Sequence, residues 1–321
     1  MMSKLEQLRK MTTIVVDTGD IESIKKYRPT DATTNPSLIG SAIQKPEYKN
    51  LIEDAMHYSE KKAKSSSEKC PLLMDKLFVN VGAEILKLIP GRVSTEVDAR
   101  LSFDVEGSIK KGQALIALYE EMGINRDRIL IKLASTWEGG LAAKELERMG
   151  IHCNMTLLFS LAQAIHCAES KATLVSPFVG RILDWYKEHE KVQGYAPTDD
   201  PGVKSVTQIY NYFKKYEYKI QVMGASFRNK EEILELAGCD LLTISPQLLE
   251  ELAHAEGDVP RRLDPVKAKQ LDIPRLTIDE KTFRFMLNDD AMATEKLAEG
   301  IRNFAKAAIK LEQTLCTECH V

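Results

Sequence analysis

Eight short apolar or β-branched runs recur along this 321-residue chain, separated by longer stretches with helical spacing, and that alternation restricts the fold more than any other feature. The runs are Thr13–Asp17, Asp31–Thr34, Val93–Val97, Ile129–Ala134, Cys153–Leu158, Leu174–Phe178, Ile220–Ala225 and Leu241–Ser245. Between them lie stripes such as Ile109, Leu115, Leu118 and Tyr119, or Leu141, Leu146 and Met149, whose apolar residues return at the period of a helix. Strands that alternate with helices pair in parallel. Eight such units predict a closed (β/α)8 barrel, for which a length of about 250 residues is typical. An open doubly wound sheet is the alternative, but no GxGxxG string follows the first strand, which weakens a dinucleotide-binding reading.

The surplus over a minimal barrel falls in two places. Residues 37–90 carry about two helices between strands two and three, one with Leu51, Ile52, Ala55 and Met56, the next with Leu77, Val81, Ile85 and Leu86. From Thr294 onward, Leu297, Ile301, Phe304, Ala308 and Leu311 mark one more amphipathic helix, expected on the barrel exterior. No Gly/Ser- or Pro-rich linker divides the chain, so residues 1–321 read as one domain.

Composition narrows function by exclusion. A formal net charge of −3 without a long Lys/Arg run argues against nucleic acid or an anionic membrane as partner. No segment approaches the roughly 20 apolar residues of a spanning helix, and the first residues mix both charge signs without an apolar signal core. A cytoplasmic protein is the expectation. Six cysteines in so long a chain fit free thiols better than a disulfide framework. The terminal Cys316-Thr317-Glu318-Cys319-His320 formally matches a haem-attachment string but reads instead as a thiol pair open to oxidation. His152-Cys153 and His166-Cys167 fit no zinc spacing and read as packing.

In such barrels chemistry gathers at the C-terminal ends of the strands. The polar residues there are Asp17, Thr33, Thr34, Asn35, Ser94, Glu96, Lys132, Asn154, Thr156, Ser176, Ser226, Arg228 and Ser245. Strand side chains alternate faces, so Ser94 shares a face with Glu96, and Asn154 with Thr156. Lys132 stands out, because it sits in an otherwise apolar run, Ile129-Leu130-Ile131-Lys132-Leu133-Ala134. Burial disfavours the charged form of an amine, and a neutral amine attacks carbonyls. Each residue also has a plainer reading. Glu96 could simply neutralise Lys132, Asp17 could serve a turn, and Asn35 before Pro36 could cap a helix. Taken together, a lysine and carboxylates in one core are costly without a function. Arg181 and Arg228 follow strands six and seven, where barrel loops often build phosphate sites, the plainer reading being surface arginines in solvated loops; a carbonyl-attacking lysine beside a phosphate clamp suggests a sugar phosphate.

The segments DATTNPSLI (Asp31 to Ile39) and ILIKLASTW (Ile129 to Trp137) resemble the two signature segments of the transaldolase family. The similarity continues through VVDTGD, PGRVSTEVDARLS, CNMTLLFS, SPFVGRILDWY, DPGVKSV, VMGASFRN and LAGCDLLTISP, from about residue 5 to about residue 315, and is greatest to the large-subunit branch. The resemblance implies that Lys132 forms a Schiff base with a ketose donor, that Glu96 and Thr156 hold a proton-relaying water, and that Asp17 handles the proton of the sugar hydroxyl. It further implies that Asn35 and Asn154, with Thr33, Ser94 and Ser176 nearby, bind the dihydroxyacetone portion. Arg181, Arg228 and Ser226 would bind phosphate, and Phe178 would line the site. It also implies transfer of dihydroxyacetone between sugar phosphates in the non-oxidative pentose phosphate pathway, no metal or organic cofactor, and a homodimer. A simple Schiff-base aldolase and a catalytically silent sugar-phosphate-binding barrel are the competing readings.

Overall fold

The computed structural model describes residues 2–318. Eight parallel strands close into a barrel in sequence order, with β1 pairing both β2 and β8. They are β1 Thr13–Asp17, β2 Asp31–Thr33, β3 Val93–Glu96, β4 Ile129–Ala134, β5 Cys153–Leu158, β6 Leu174–Pro177, β7 Gln221–Gly224 and β8 Leu241–Ile244. The expected barrel is therefore observed. The strands are nearly continuous in apolar residues because their outward faces lie under helices, as in parallel sheets generally. The large cluster between sheet and helices includes Ile14, Val16, Ile131, Leu133, Cys153, Met155, Val175 and Ile244.

Side-chain parity divides the interior into levels. Val15, Leu130, Leu174, Met223 and Leu241 form a separate apolar layer inside the barrel. At the N-terminal end, Arg92 closes the barrel by pairing with Asp31 (3.2 Å) and donating to Gln221 Oε1 (2.9 Å). Toward the C-terminal end, Leu157, Phe159, Phe178, Ala225, Leu297 and Phe304 belong to an apolar collar around the mouth.

Three α-helices, Pro36–Ala42, Lys49–Lys62 and Ser66–Leu86, connect β2 to β3, one more than the periodicity suggested. The additional one is the short helix opened by the Asn35 cap. The C-terminal helix, Ala291–Glu318, differs from expectation in position. Rather than only coating the exterior, it packs over the barrel mouth, where Gly300 lets it approach the β5 bulge; a Cβ at Gly300 would lie 2.6 Å from Leu157 Cδ2. At that bulge Leu157 itself has φ +53°.

The free-thiol expectation is corrected at one pair. Cys70, on the helix Ser66–Leu86, is disulfide-bonded to Cys316 of the C-terminal helix, joining segments 246 residues apart. Sequence spacing had instead paired Cys316 with Cys319, which lies outside the described residues. Cys153, Cys167 and Cys239 are free and buried. His152 bonds Glu147 (3.2 Å), and His166 stacks on Trp137 with ring centroids 4.0 Å apart. Among the described residues no group of three or more His, Cys, Asp or Glu could hold a metal ion. No helix among them is long and apolar enough to cross a membrane.

Candidate active site

Above the apolar layer, the inward positions of successive strands are polar. The register sets Lys132 on β4 beside Glu96 on β3 and beside Asn154 on β5. Lys132 Nζ lies 3.0 Å from Glu96 Oε2, an ion-pair distance without hydrogen-bond alignment, and donates to Thr34 O at 3.2 Å. Both side chains are buried. Burial raises the Glu96 carboxyl above the usual carboxylate range, and Lys132, then Arg181, only partly offset this.

Two hydrogen-bonded runs flank the pair. On one side Thr33 Oγ1 donates to Asp17 Oδ1 at 2.9 Å and lies 2.8 Å from Thr243 Oγ1, so Thr243 is left to donate to Thr33. On the other, Ser176 Oγ donates to Asn154 Oδ1 (2.8 Å), and Asn154 Nδ2 donates to Ser94 Oγ (3.0 Å). Burial also raises the Asp17 carboxyl, with Lys132, Thr33 and Arg181 acting the other way. A carboxyl raised in this manner beside a cation is a common feature of acid–base sites.

These groups surround a cavity of about 50 Å³ lined by Asp17, Thr33, Asn35, Lys132, Thr156, Ser176, Phe178, Arg181, Met223, Ala225, Ser226, Thr243 and Phe304. A second cavity, about 10 Å³, lies behind Thr156 and is lined by both Thr156 and Glu96. Thr156 Oγ1 and Glu96 Oε2 are buried there without a hydrogen-bond partner among the described residues. Such a space, polar on two sides, has about the size of one water.

Arg181 lines the same cavity as Lys132 and rises from the first turn of the helix Val179–Glu190. Its guanidinium carbon is 4.6 Å from the Phe178 ring centroid and 5.4 Å from that of Phe304. No carboxylate or other hydrogen-bond acceptor pairs with it among the described residues. Burial and nearby Arg228 lower its proton affinity. The adjoining loop is tightly fitted: Ser226 has φ +61°, and its carbonyl accepts from Gly180 N at 2.9 Å. A Cβ at Gly180 would lie 2.4 Å from that carbonyl oxygen, so the two loops meet only because residue 180 is glycine.

Most of the residues expected from sequence therefore converge. Asp17, Thr33, Asn35, Lys132, Thr156, Ser176, Phe178, Arg181 and Ser226 line the larger cavity. Glu96 reaches it through its pair with Lys132, and Ser94 and Asn154 support it from below. Asn35 also has the plainer role considered for it, since its side chain caps Pro36–Ala42 by accepting from Leu38 N at 3.0 Å. Arg228 does not line the cavity; its guanidinium pairs with Asp184 at 2.7 Å, half-exposed at the rim. Thr243 and Phe304 were missed. Thr243 was detectable as an inward position on β8 two residues before Ser245, whereas Phe304 read only as one apolar residue in a helical stripe.

Fold and site together define the class: a (β/α)8 barrel enzyme whose polar centre is built around a buried lysine. Comparison with known proteins gives the family. Residues 14–315 match the family described as Transaldolase/Fructose-6-phosphate aldolase. The chain is 75% identical over 315 residues to the transaldolase of Protochlamydia amoebophila (strain UWE25), covering 98% of each protein. It is 57% identical over 316 residues to the transaldolase of Homo sapiens, covering 98% of this chain and 94% of the human one. To the probable transaldolase of Dictyostelium discoideum it is 58% identical over 318 residues, covering 98% and 99%. The chain belongs to the transaldolase/fructose-6-phosphate aldolase family.

Proposed function

We propose that this protein is a transaldolase that moves a dihydroxyacetone unit from a ketose phosphate (sedoheptulose 7-phosphate or fructose 6-phosphate) to an aldose phosphate (glyceraldehyde 3-phosphate or erythrose 4-phosphate), the chemistry of the non-oxidative pentose phosphate pathway. The carrying observation is a buried lysine paired with a carboxylate at 3.0 Å in a cavity that is also lined by an arginine with no carboxylate partner among the described residues. Glu96 takes the proton that Lys132 gives up, and the free amine attacks the donor carbonyl. Loss of water from the resulting carbinolamine requires a proton delivered to the departing hydroxyl. Glu96 supplies it through a water held against Thr156, in keeping with the small cavity between them. The iminium then withdraws electrons from the adjacent carbon–carbon bond. Asp17 accepts the hydroxyl proton as that bond breaks, the first aldose leaves, and a resonance-stabilised three-carbon fragment stays on Lys132. A second aldose adds and the steps reverse.

Asn35 and Asn154, with Thr33, Ser94 and Ser176, hold the three-carbon unit. Arg181 and Ser226 hold the phosphate, with Arg228 joining from the rim by exchanging Asp184 for the ligand. Phe178 covers one wall. The chain works as one barrel unit over residues 1–321, in the cytoplasm, as a homodimer through exterior helices. Phe285, 67% exposed on the helix Glu280–Asp289, is in keeping with such a contact. Light scattering on the purified protein tests the dimer; a monomer at micromolar concentration removes it.

Borohydride added with fructose 6-phosphate should trap a covalent adduct on Lys132, located by peptide mass spectrometry. An unmodified Lys132 under those conditions sinks the mechanism. A second reading is supported by the family's own description, which joins transaldolase to fructose-6-phosphate aldolase. Free dihydroxyacetone released as fast as the unit is transferred to an added aldose would favour that reading.

A further inference from the structure

A buried carboxyl pair lies beneath the loop that presents Ser226, outside the reacting centre. Glu232, in the helix Lys230–Glu235, is 1% exposed, and Asp200, which opens the helix Pro201–Lys215, is 4% exposed. Each has a backbone duty. Asp200 Oδ1 accepts from Gly202 N (2.8 Å) and Val203 N (3.2 Å). Glu232 Oε2 accepts from Arg228 N at 2.6 Å. That bond holds one end of the segment 226–228, whose other end is fixed by Gly180 N donating to Ser226 O. The segment between contains the left-handed Ser226, whose side chain lines the cavity.

Glu232 Oε1 is buried without a hydrogen-bond donor among the described residues, and the charge of buried Asp200, at the head of the adjoining helix, acts on Glu232. Two bare carboxylates so placed would repel in a medium that screens poorly; one proton between them turns the repulsion into a hydrogen bond.

We infer that Glu232 is a positioning residue for the anion-binding end of the site, holding the Ser226–Arg228 loop while it shares one proton with Asp200. This rests on the proposed reading of Arg181 and Ser226 as the phosphate end. Burial, with Asp200 beside it, pushes the Glu232 carboxyl up to about 7. Other ionisable groups on the elements packed there are otherwise engaged. Asp199 and Lys204 pair with each other in solvent (2.8 Å), Glu250 pairs with Lys26, Glu235 pairs with Arg262 (2.9 Å) and Lys230 with Glu231 (3.5 Å). Asp200 and Arg228 are the charged groups that act on Glu232. As pH rises past neutrality the shared proton is lost, both carboxylates are charged, and they move apart. Glu232 then draws the Arg228 end of the loop with it, and phosphate affinity falls.

The test is the pH profile of KM for fructose 6-phosphate, from pH 6 to 8.5, in wild type, Glu232→Gln and Glu232→Ala. Glutamine keeps an acceptor for Arg228 N and offers Asp200 an N–H that does not titrate. The rise of KM with pH should therefore be present in wild type and absent in Glu232→Gln, apart from the part both share through the substrate's own phosphate. Glu232→Ala should raise KM about tenfold at every pH, with kcat moved much less. If Glu232→Gln follows the wild-type profile, the inference is overturned, and a folded Glu232→Ala with unchanged KM overturns it as well. Thermal melting establishes folding; should Glu232→Ala not fold, Glu232→Gln alone decides. Borohydride trapping on wild-type Lys132 is run alongside. No adduct there counts against the proposed function, whereas an adduct with unaltered Glu232 profiles counts against the positioning role alone.

Discussion

Replacing Lys132 with methionine separates the stability cost of the buried pair from its chemistry. The chain length and apolar volume are nearly kept, and the amine is removed. At 3.0 Å the attraction lost from Glu96 is about 5.5 kcal/mol at an effective dielectric of 20. Part of that is returned because no ammonium has to be desolvated. Buried pairs broken on one side lose about 3–5 kcal/mol, the range expected here at pH 8. With an unfolding entropy of about 2.1 cal/mol/K per residue, the melting temperature should fall by about 4–7 °C. The loss should depend on pH in a definite direction. Burial already raises Glu96 in the folded state, and removing Lys132, its largest offsetting contribution, raises it further. A carboxyl with a raised folded-state pKa binds its proton more tightly folded than unfolded, so stability falls as pH rises from the ordinary carboxylate range through the folded value. Lowering the pH below that value should restore about 1.4 kcal/mol per unit. Lys132→Met/Glu96→Gln should be more stable at pH 8 than Lys132→Met, with a remainder from Asp17, which loses the same support. Differential scanning calorimetry at pH 6 and 8 reads all three proteins. A pH-independent loss that Glu96→Gln does not relieve would refute the reasoning.

In the same protein, Gly82→Ala places a Cβ 1.9 Å from Tyr119 Oη, which is held 2.6 Å from Thr95 Oγ1. A loss of about 1–3 kcal/mol is expected, with Tyr119→Phe relieving part of it; strictly additive melting shifts would show that the clash is not the cause. Reduction of Cys70–Cys316, or Cys70→Ser, should lower stability by about 2–5 kcal/mol because the bond closes a long loop. Non-reducing peptide mapping should find that linkage, and identical melts with and without reductant would count against its contribution. Asp17→Asn should leave the Lys132 adduct intact and cut turnover by about 10² to 10⁴. Because the wild-type carboxyl is raised by burial, turnover should fall as pH drops through a value above the usual carboxylate range. That acid limb should disappear in the variant, and its persistence would move the limb to another group.

The strands could be read from sequence to within a residue or two because each is a short run set between stretches of helical spacing; parity then puts Ser94 with Glu96 and Asn154 with Thr156 on shared faces, while Asp17, Thr33, Lys132 and Ser176 stand out as polar residues within or at the ends of the runs. Parity is local, so it survives without knowledge of the rest of the fold. What parity cannot supply is how distant helices meet. Phe304 enters the cavity because Gly300 permits the C-terminal helix to settle against the Leu157 bulge, a contact between residues 143 positions apart in sequence. Nothing in an apolar stripe distinguishes the residue that lands on the mouth from those that land on helices. Cys70 and Cys316 were hidden for the same reason. Arg228 is the intermediate case: its place after β7 brings it beside the cavity, where it donates to the lining Ser226 Oγ at 3.4 Å, while its guanidinium pairs with Asp184 at the rim.

The charges around the cavity explain why so polar an interior is tolerated. Asp17 and Glu96 face Lys132 and Arg181, two of each sign, so the set is neutral while no single member could be buried alone. Neutrality of the set does not make each pair strong. Both carboxyls are raised, which means that desolvation outweighs the two cations at each acid. Protons are consequently held at the centre more readily than in water, where a reaction that must both remove and return them needs them. Arg181 completes the arrangement differently. Having no carboxylate partner among the described residues, it is compensated through longer-range attraction to Glu299, Glu96 and Asp17. An arriving phosphate would satisfy it directly and weaken its pull on the two acids. Under the proposed reaction, substrate binding thus favours protonation of Asp17 and Glu96, and the anion end of the site sets the acid–base state of the reacting end.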